Sequence, residues 1–523
     1  MLNAMTPRRR RLLTALAILV YLALALYLSR ILMASDDEES YLGLGRLVVT
    51  GSISLFQDDT TGQRMPLPFY VLGGSQVVFG RSLLAGRLVS IALGLGVLAL
   101  TIATARRLSG DLAGVLAGLL LATQGVVVGY YATAGPRAVT ALIFMTAIWL
   151  FVHRNWPWRC ALGMAVASLL FLTRTNMFPA LPFFFVWAIL GARTHAERLA
   201  VAAVTVAPPA AFFLSDPRHL KLLAHVPFLN RFVDPLGYRS IFSLSAFRRA
   251  TPADQMLAFP QFARRYESWT LAAAGLAIAA TGLAARRADG DRWMVRGPIA
   301  VLTGLALWVL MWHYVIFRLN FKLVLAYFPD FAPLIAVLLG IGFASLLRRA
   351  GRHPIPRVVL VVALAGSLTV SVLVVRHPLM AQPVPRPFSN DAIQQLDRAA
   401  AQLRVLIPEG ERVFIFAQPI TAYLAGLNAP LQHVMSPGGT LAPADADPRL
   451  LAKSGTWSMV ELERWLGSEV RYALITDRLL DGLEVPRPEA VRRIRELLRE
   501  RFVKVGRIGD APWLDCDVYR RRT

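Results

Sequence analysis

Acidic residues are scarce in this sequence. Asp and Glu together number 33 in 523 residues, against 56 Lys and Arg, and charge of both signs amounts to 17% of the chain. A water-soluble protein of this length needs more charge on its surface. Cysteine is nearly absent. Cys160 and Cys516 are the two present, which excludes a disulfide framework and a cysteine metal site. The topology read below puts them on opposite sides of a membrane, so they are not expected to pair. The polar C-terminal part lacks a phosphate loop, a GxGxxG turn and an HExxH helix. The formal charge of +23 comes mostly from Arg. No soluble basic face stands out for nucleic acid, and basic residues flanking membrane spans account for the excess.

What the chain has instead is apolar sequence, 55% by count, with a mean hydropathy of +0.50. A membrane-crossing helix needs roughly 20 apolar residues. Such runs predict spans near 11–34, 83–105, 111–129, 137–153, 159–173, 177–191, 198–214, 268–285, 297–317, 327–348 and 356–376. The expected fold is therefore a polytopic α-helical membrane protein of about eleven spans. The N-terminal run is too long for the apolar core of a signal peptide, and no small-x-small site follows it. It is read as an uncleaved first span behind Arg8–Arg11.

Charge orients the spans. With the N-terminus inside, each inside connection is basic: Arg106 and Arg107, Arg154 and Arg159, Arg193 and Arg198, Arg286 to Arg296, and Arg348 to Arg357. The short outside connections YYATAG and TRTN carry little charge, as the positive-inside bias requires. An odd span count then places three long segments outside: 35–82, 215–267 and the region from 383 onward. Residues 1–382 are read as a membrane domain carrying the first two as large extracytoplasmic loops. Residues 383–523 are read as an extracytoplasmic soluble α/β domain, opening on the proline-rich HPLMAQPVPRPF. In it, RVFIFA, RYALIT, FVKVG and LDCDVYR read as strands, with helical patterns between them.

Where acids do occur, four stand together: Asp36, Asp37, Glu38 and Glu39 in ASDDEESYLGLGRL (34–47), just past the first span. Ser35 and Glu38 have the spacing of a helix capping box, and acids suit the positive end of a helix. Tyr41, Leu44 and Val48 fall on one face of the helix so begun. Capping does not explain four mutually repelling carboxylates.

The segment Asp37-Glu38-Glu39-Ser40-Tyr41 resembles the D-E-x-x-Y signature that follows the first span of the GT-C glycosyltransferases. That family includes the protein O-mannosyltransferases and the lipid A aminoarabinose transferases, which use polyprenyl-phosphate-linked sugars. Further segments are similar to family elements in the same order. They are QRMPLPFYVL (63–72), GRLVSIALGLGVLALTIATARRL (86–108), GVLAGLLLATQGVVVGYYATAGPRAVTAL (114–142), LLFLTRTNMFPALPF (169–183) and FKLVLAYFPDFAPLIAVLLG (321–340). The resemblance spans roughly the first 350 residues.

It implies a GT-C-like membrane glycosyltransferase. Such an enzyme moves a sugar from a polyprenyl-phosphate donor to a hydroxyl of an envelope glycan, lipid or protein, with inversion. Asp37 corresponds to the family's catalytic aspartate and would act as general base. Glu38 would orient the acceptor or tune Asp37, Tyr41 would support them, and Asp36 and Glu39 are read as solvated charge. The leaving phosphate needs cations. Arg64, Arg137, Arg174 and Lys322 are the expected donor-phosphate ligands, with Arg174 falling where the family turn reads Lys. The basic outside loop adds Arg218, Lys221, Arg231 and others, for which contact with anionic lipid is the plainer reading. The acid or His that several relatives carry before the second element's proline is replaced here by Arg64-Met65-Pro66. No cofactor is expected and a divalent metal is disfavoured. Asp58 and Asp59, which stand nearby, read as a polar turn. His313 and Tyr314 read as part of an interfacial aromatic belt. The implied location is the cytoplasmic (inner) membrane, with the N-terminus cytoplasmic and the C-terminal domain outside.

The alternative is a transporter or flippase for a lipid-linked or anionic substrate. It calls for ionisable residues near mid-membrane and paired broken helices. The span interiors are almost free of charge, and no inverted repeat is visible. A non-catalytic scaffold would leave the acid cluster and the basic outside loop without a role.

Overall fold

A computed structural model describes residues 6–55, 65–153, 156–216, 219–220, 293–319, 327–349, 354–373, 391–428, 458–484, 488–511 and 514–522. Every expected span except 268–285 coincides with a helix, and 268–285 lies outside the described residues. Four helices, Pro7–Ile31, Leu83–Ser109, His195–Ser215 and Phe328–Arg348, are long and apolar enough to cross a membrane. A fifth candidate is bent. Asp111–Ala122 and Gly125–Tyr131 meet at 75°, so the run expected as one span over 111–129 is broken at Thr123-Gln124. Ser367 Oγ donates to the Thr123 carbonyl there at 2.8 Å, and such bonds re-satisfy backbone groups freed by a break. Shorter apolar helices occupy Arg137–Val152, Arg159–Leu172, Ala180–Gly191, Gly297–His313 and Arg357–Thr369. The chain is thus a multi-pass membrane protein. By length and composition, four helices among the described residues qualify as complete crossings, or five with the bent pair taken as one.

By contacts the chain divides into two compact units. The first holds the described residues of Met1–Ser29, Ser90–Phe212 and Arg248–Pro387, and the second those of Arg30–Val89, Phe213–Phe247 and Phe388–Thr523. In the first, the Tyr21 hydroxyl donates to the Ile91 carbonyl at 3.1 Å and the Tyr131 hydroxyl to the Pro329 carbonyl at 2.7 Å. These bonds satisfy polar groups that lipid cannot.

The second unit joins the segment after the first span to the C-terminal region. That region contains a four-stranded mixed sheet: β1 (Val413–Phe416), β2 (Tyr472–Ile475), β3 (Phe502–Ile508) and β4 (Cys516–Arg521), in the order β1-β2-β4-β3. β1 and β2 run parallel, and β4 pairs antiparallel with β2 and β3. VFIF and YALI are apolar throughout and buried at every position, as strands covered on both faces must be. Phe414, Phe416, Trp465, Ile494 and Leu497 form a core between the sheet and its helices. The helices are capped locally. Asp391 accepts from the Ile393 and Gln394 amides at 3.0 and 3.1 Å, and Ser458 with Glu461 closes a capping box.

Candidate active site

The acid cluster starts a helix, as its capping signals require. Ser35 and Glu38 exchange both capping-box hydrogen bonds: the Ser35 amide donates to Glu38 Oε2 at 3.1 Å, and the Glu38 amide to Ser35 Oγ at 3.3 Å. The helix runs through Asp36–Glu39, a π-turn at Ser40–Leu44 and a last α-helical turn at Gly45–Val49. A π-turn inserts an extra residue into the ladder and is frequent at functional sites. Tyr41, Leu44 and Val48 are buried as expected, with the Tyr41 ring 5.0 Å from that of Phe69.

The second family-like element is the helix Pro66–Val78, which crosses the first at Gly45 and Gly73. A Cβ on Gly73 would stand 2.1 Å from the Gly45 carbonyl carbon, so the two backbones touch and neither position admits a side chain. Met65, at the N-cap of this helix, is buried. Arg64, Asp58 and Asp59 lie outside the described residues.

The acids differ in surroundings. Glu38 is fully buried. Arg87, also buried, grips it through Nε–Oε1 and Nη2–Oε2, both 2.8 Å. The other donors of Arg87 reach the Leu32 and Met33 carbonyls at 2.9 and 3.3 Å, just beyond the first helix. Helix ends leave such carbonyls unsatisfied. Glu38 therefore serves first as the hub that fastens the acid turn to two spans. Glu39, expected as solvated charge, is instead 4% exposed. Its Oε1 and the Tyr423 ring both lie against Gly43, so a residue hundreds of positions away covers it. Asp37 is only partly buried; it keeps solvent access while both neighbouring glutamates lose it.

The C-terminal region braces this turn. Gln418 Nε2 donates to the Ala34 carbonyl at 2.9 Å, and the Tyr423 hydroxyl to Gln76 Oε1 at 3.1 Å. Burial pushes the Tyr423 hydroxyl up to about 12, with Arg46 and Arg81 pulling it down and Glu39 pushing it up.

The first unit holds a second polar constellation. Arg174 lies between the 3₁₀ turns Leu169–Leu172 and Thr175–Met177. Its Nε is 3.2 Å from Asp330 Oδ2 and 3.0 Å from Asn176 Oδ1, and its guanidinium sits 5.0 Å above the Tyr327 ring. Asn176 Nδ2 donates to Asp330 Oδ2 at 2.9 Å and is 3.3 Å from His313 Nε2. Asp330 is fully buried in the first turn of Phe328–Arg349, where the helix dipole favours an acid. Arg137, 2% exposed at the start of Arg137–Val152, covers the Tyr130 ring at 4.7 Å. The segments YYATAGPR, LTRTN and YFPDF, far apart in sequence, thus meet here.

His313 is buried, its Nδ1 2.7 Å from the Val309 carbonyl. It belongs to this polar network and not to an interfacial belt; the Tyr314 side chain lies outside what is described. Lys322 and the basic loop residues 221–250 also lie outside the described residues. Sequence reasoning alone misses Arg87 and Asp330, although each stands inside a segment that carries the family resemblance. The described residues bring no three metal-ligating side chains together.

A scan of protein-family models and a search of curated proteins found no match. Solved structures do match. ArnT from Cupriavidus metallidurans bound to undecaprenyl phosphate is 14% identical, with a TM-score of 0.57 over 97% of both chains. The Archaeoglobus fulgidus oligosaccharyltransferase tethered with an acceptor peptide containing the NVT sequon is 12% identical. Its TM-score is 0.51, over 95% of this chain and 72% of that one. Arabinofuranosyltransferase AftD from Mycobacteria is 15% identical at 0.50, over all of this chain and 40% of its own. The chain shares its fold with these structures.

Proposed function

We propose that this chain is a membrane glycosyltransferase. It would move a sugar from a polyprenyl-phosphate-linked donor to a hydroxyl of an envelope glycan, lipid or protein, on the outer face of the cytoplasmic membrane. The observation that carries the reading is the placement of Asp37. It is a partly exposed acid on a helix start fastened by Ser35, Glu38 and Arg87, in a fold shared with a structure holding undecaprenyl phosphate.

In this reading Asp37 takes the proton of the acceptor hydroxyl as its oxygen attacks the anomeric carbon. The new O–C bond forms as the bond from that carbon to the lipid phosphate breaks, and attack from the opposite face inverts the anomeric centre. The electron pair leaves with the phosphate, whose growing charge needs fixed cations. Arg137 and Arg174 are assigned to it, together with Arg64 and Lys322. Glu38 holds Asp37 in place, and Tyr41 packs the turn from beneath. The N-terminus would be cytoplasmic and the C-terminal region extracytoplasmic.

Within the first unit, the buried Arg137 and Asp330 lie in the first turns of their helices. That suits a site at span ends better than a mid-membrane transport path. The test is transfer from a radiolabelled polyprenyl-phosphate sugar pool by purified wild type and Asp37→Asn. The expected result is a loss of roughly 10²- to 10⁴-fold. Undiminished transfer by the variant removes Asp37 as the base.

A further inference from the structure

Within the second unit, Arg46, Arg81 and Arg404 line one cavity of about 310 Å³ with Glu409 and the backbone of Leu424–Gly426. They come from three places: the acid-bearing helix, the turn after Pro66–Val78, and the helix Ala392–Leu406. Arg46 Nη1 donates to the Gln76 carbonyl at 3.3 Å and Arg404 Nη2 to the Leu424 carbonyl at 2.6 Å. Arg81 lies 5.9 Å from the centre of the Tyr423 ring and 3.9 Å from Glu409 Oε1.

Asp397 acts on Arg404 from the same helix, and among the described residues three guanidinium groups thus share one concave space with a single lining carboxylate, Glu409. That carboxylate is distant for an ion pair and 81% exposed, so it screens them weakly. Like charges gathered in a cleft repel one another and focus a positive potential. Gly426 keeps the space open. Its φ is +83°, and a Cβ there would stand 2.7 Å from Arg81 Nη1 and 2.8 Å from Glu409 Oε1.

We infer that this cavity is an oxyanion site that takes a phosphoryl group of the acceptor. A planar carboxylate is matched by one or two guanidinium forks. Three forks arriving from three elements suit a tetrahedral anion with several accepting oxygens. The volume lies at the lower end of the roughly 300–1,000 Å³ usual for ligand pockets. Arg46 and Asp37 ride on the same short helix, so an anion held here would fix its molecule relative to Asp37. The identity of that molecule as acceptor rests on the glycosyltransferase reading; the anion site rests on the cavity itself.

The experiment is titration calorimetry on the full chain in nanodiscs of zwitterionic lipid. Glucose 6-phosphate is the probe and glucose the uncharged control. Glucose 6-phosphate should bind saturably and glucose should not. Arg404→Gln and Arg81→Gln should each weaken binding at least tenfold, and the exposed Arg478→Gln should leave it unchanged. Melting curves verify folding. If Arg404→Gln fails to fold, the partly exposed Arg81→Gln carries the test, with Arg81→Lys retaining charge but losing the fork and binding at an intermediate affinity.

Nanodiscs doped with phosphatidylglycerol separate the sources. Competition with glucose 6-phosphate assigns the site to a phospholipid headgroup, and no competition assigns it to a soluble phosphoryl group. Absence of saturable phosphate binding, or equal binding by the arginine variants, overturns the site. Asp37→Asn should bind glucose 6-phosphate normally. If phosphate binds where no protein form transfers sugar, the transferase reading falls and the anion site stands. If sugar is transferred but phosphate does not bind, the anion site falls and the transferase reading stands.

Discussion

Arg87 and Glu38 form a two-pronged ion pair, both hydrogen bonds 2.8 Å, with neither side chain reaching solvent. Removing one partner of such a pair strands a charge in a low-dielectric interior. The cost is typically about 3–5 kcal/mol, whereas replacing both partners by apolar groups is often neutral. Arg87→Ala is therefore expected to lower the melting temperature in nanodiscs sharply, and Arg87→Met with Glu38→Met to recover most of the loss. Arg495→Ala, which breaks an exposed pair with Asp481 and Glu484, should cost no more than ~1 kcal/mol. Asp37→Asn should melt close to wild type, separating the chemical acid from the structural one beside it.

The crossing at Gly45 and Gly73 yields a second prediction. Carbonyl and Cβ cannot share a 2.1 Å gap, so Gly73→Ala must part the two helices. Overpacking typically costs about 1–3 kcal/mol, and here the obstacle is backbone, which cannot rotate away. Gly73→Ala should lower the melting temperature. Gly74→Ala, whose Cβ meets nothing within 4 Å, should leave it unchanged. Equal melting of the two variants would show that the crossing is looser than described.

Local signals are legible in the sequence, and long-range ones are not. The Ser35–Glu38 capping box, the buried strands VFIF and YALI and most apolar helices follow from spacing within a few residues. The Arg87–Glu38 pair joins positions 49 apart, and the Asn176–Asp330 contact positions 154 apart. No periodicity reports such meetings. Glu39 reads as solvated for the same reason, because the residue that covers it, Tyr423, comes from the distant C-terminal region. The break at Thr123-Gln124 is hidden because the apolar run continues on both sides of two polar residues. Asp330 sits in YFPDF, but one acid at a helix start is sufficiently explained by the helix dipole.

Tyr423 links the C-terminal region to the helix Pro66–Val78 and gives a pH signature. Burial is the main cause of its rise to about 12 from the ordinary tyrosine value of 10.0. A group whose folded value is raised contributes stability that is fully present below its unfolded value and is lost as pH rises through the folded one. Wild type should therefore lose stability between about pH 10 and pH 12 through this group. Tyr423→Phe should be less stable near neutrality by about 0.5–1.5 kcal/mol, the net worth of one hydrogen bond. It has no proton to lose, so its deficit should shrink as pH rises through that window. Melting curves of both proteins across the range measure this. A deficit independent of pH would remove Tyr423 as the titrating group.

Arg174 has two demands on it, since the phosphate assignment needs a cation and Asp330 already holds it at 3.2 Å. A double-mutant cycle separates them. Arg174→Gln leaves Asp330 buried without its cation and should cost about 3–5 kcal/mol; adding Asp330→Asn removes that charge and should restore much of the melting temperature. Transfer should behave differently. If Arg174 meets the donor phosphate, the double variant melts near wild type yet keeps a raised KM for the polyprenyl-phosphate donor. Asp330→Asn alone, by leaving Arg174 without its internal anion, should lower that KM. A double variant with wild-type KM and kcat would reduce Arg174 to the counterion of Asp330, leaving Arg137 as the described residue assigned to the leaving phosphate.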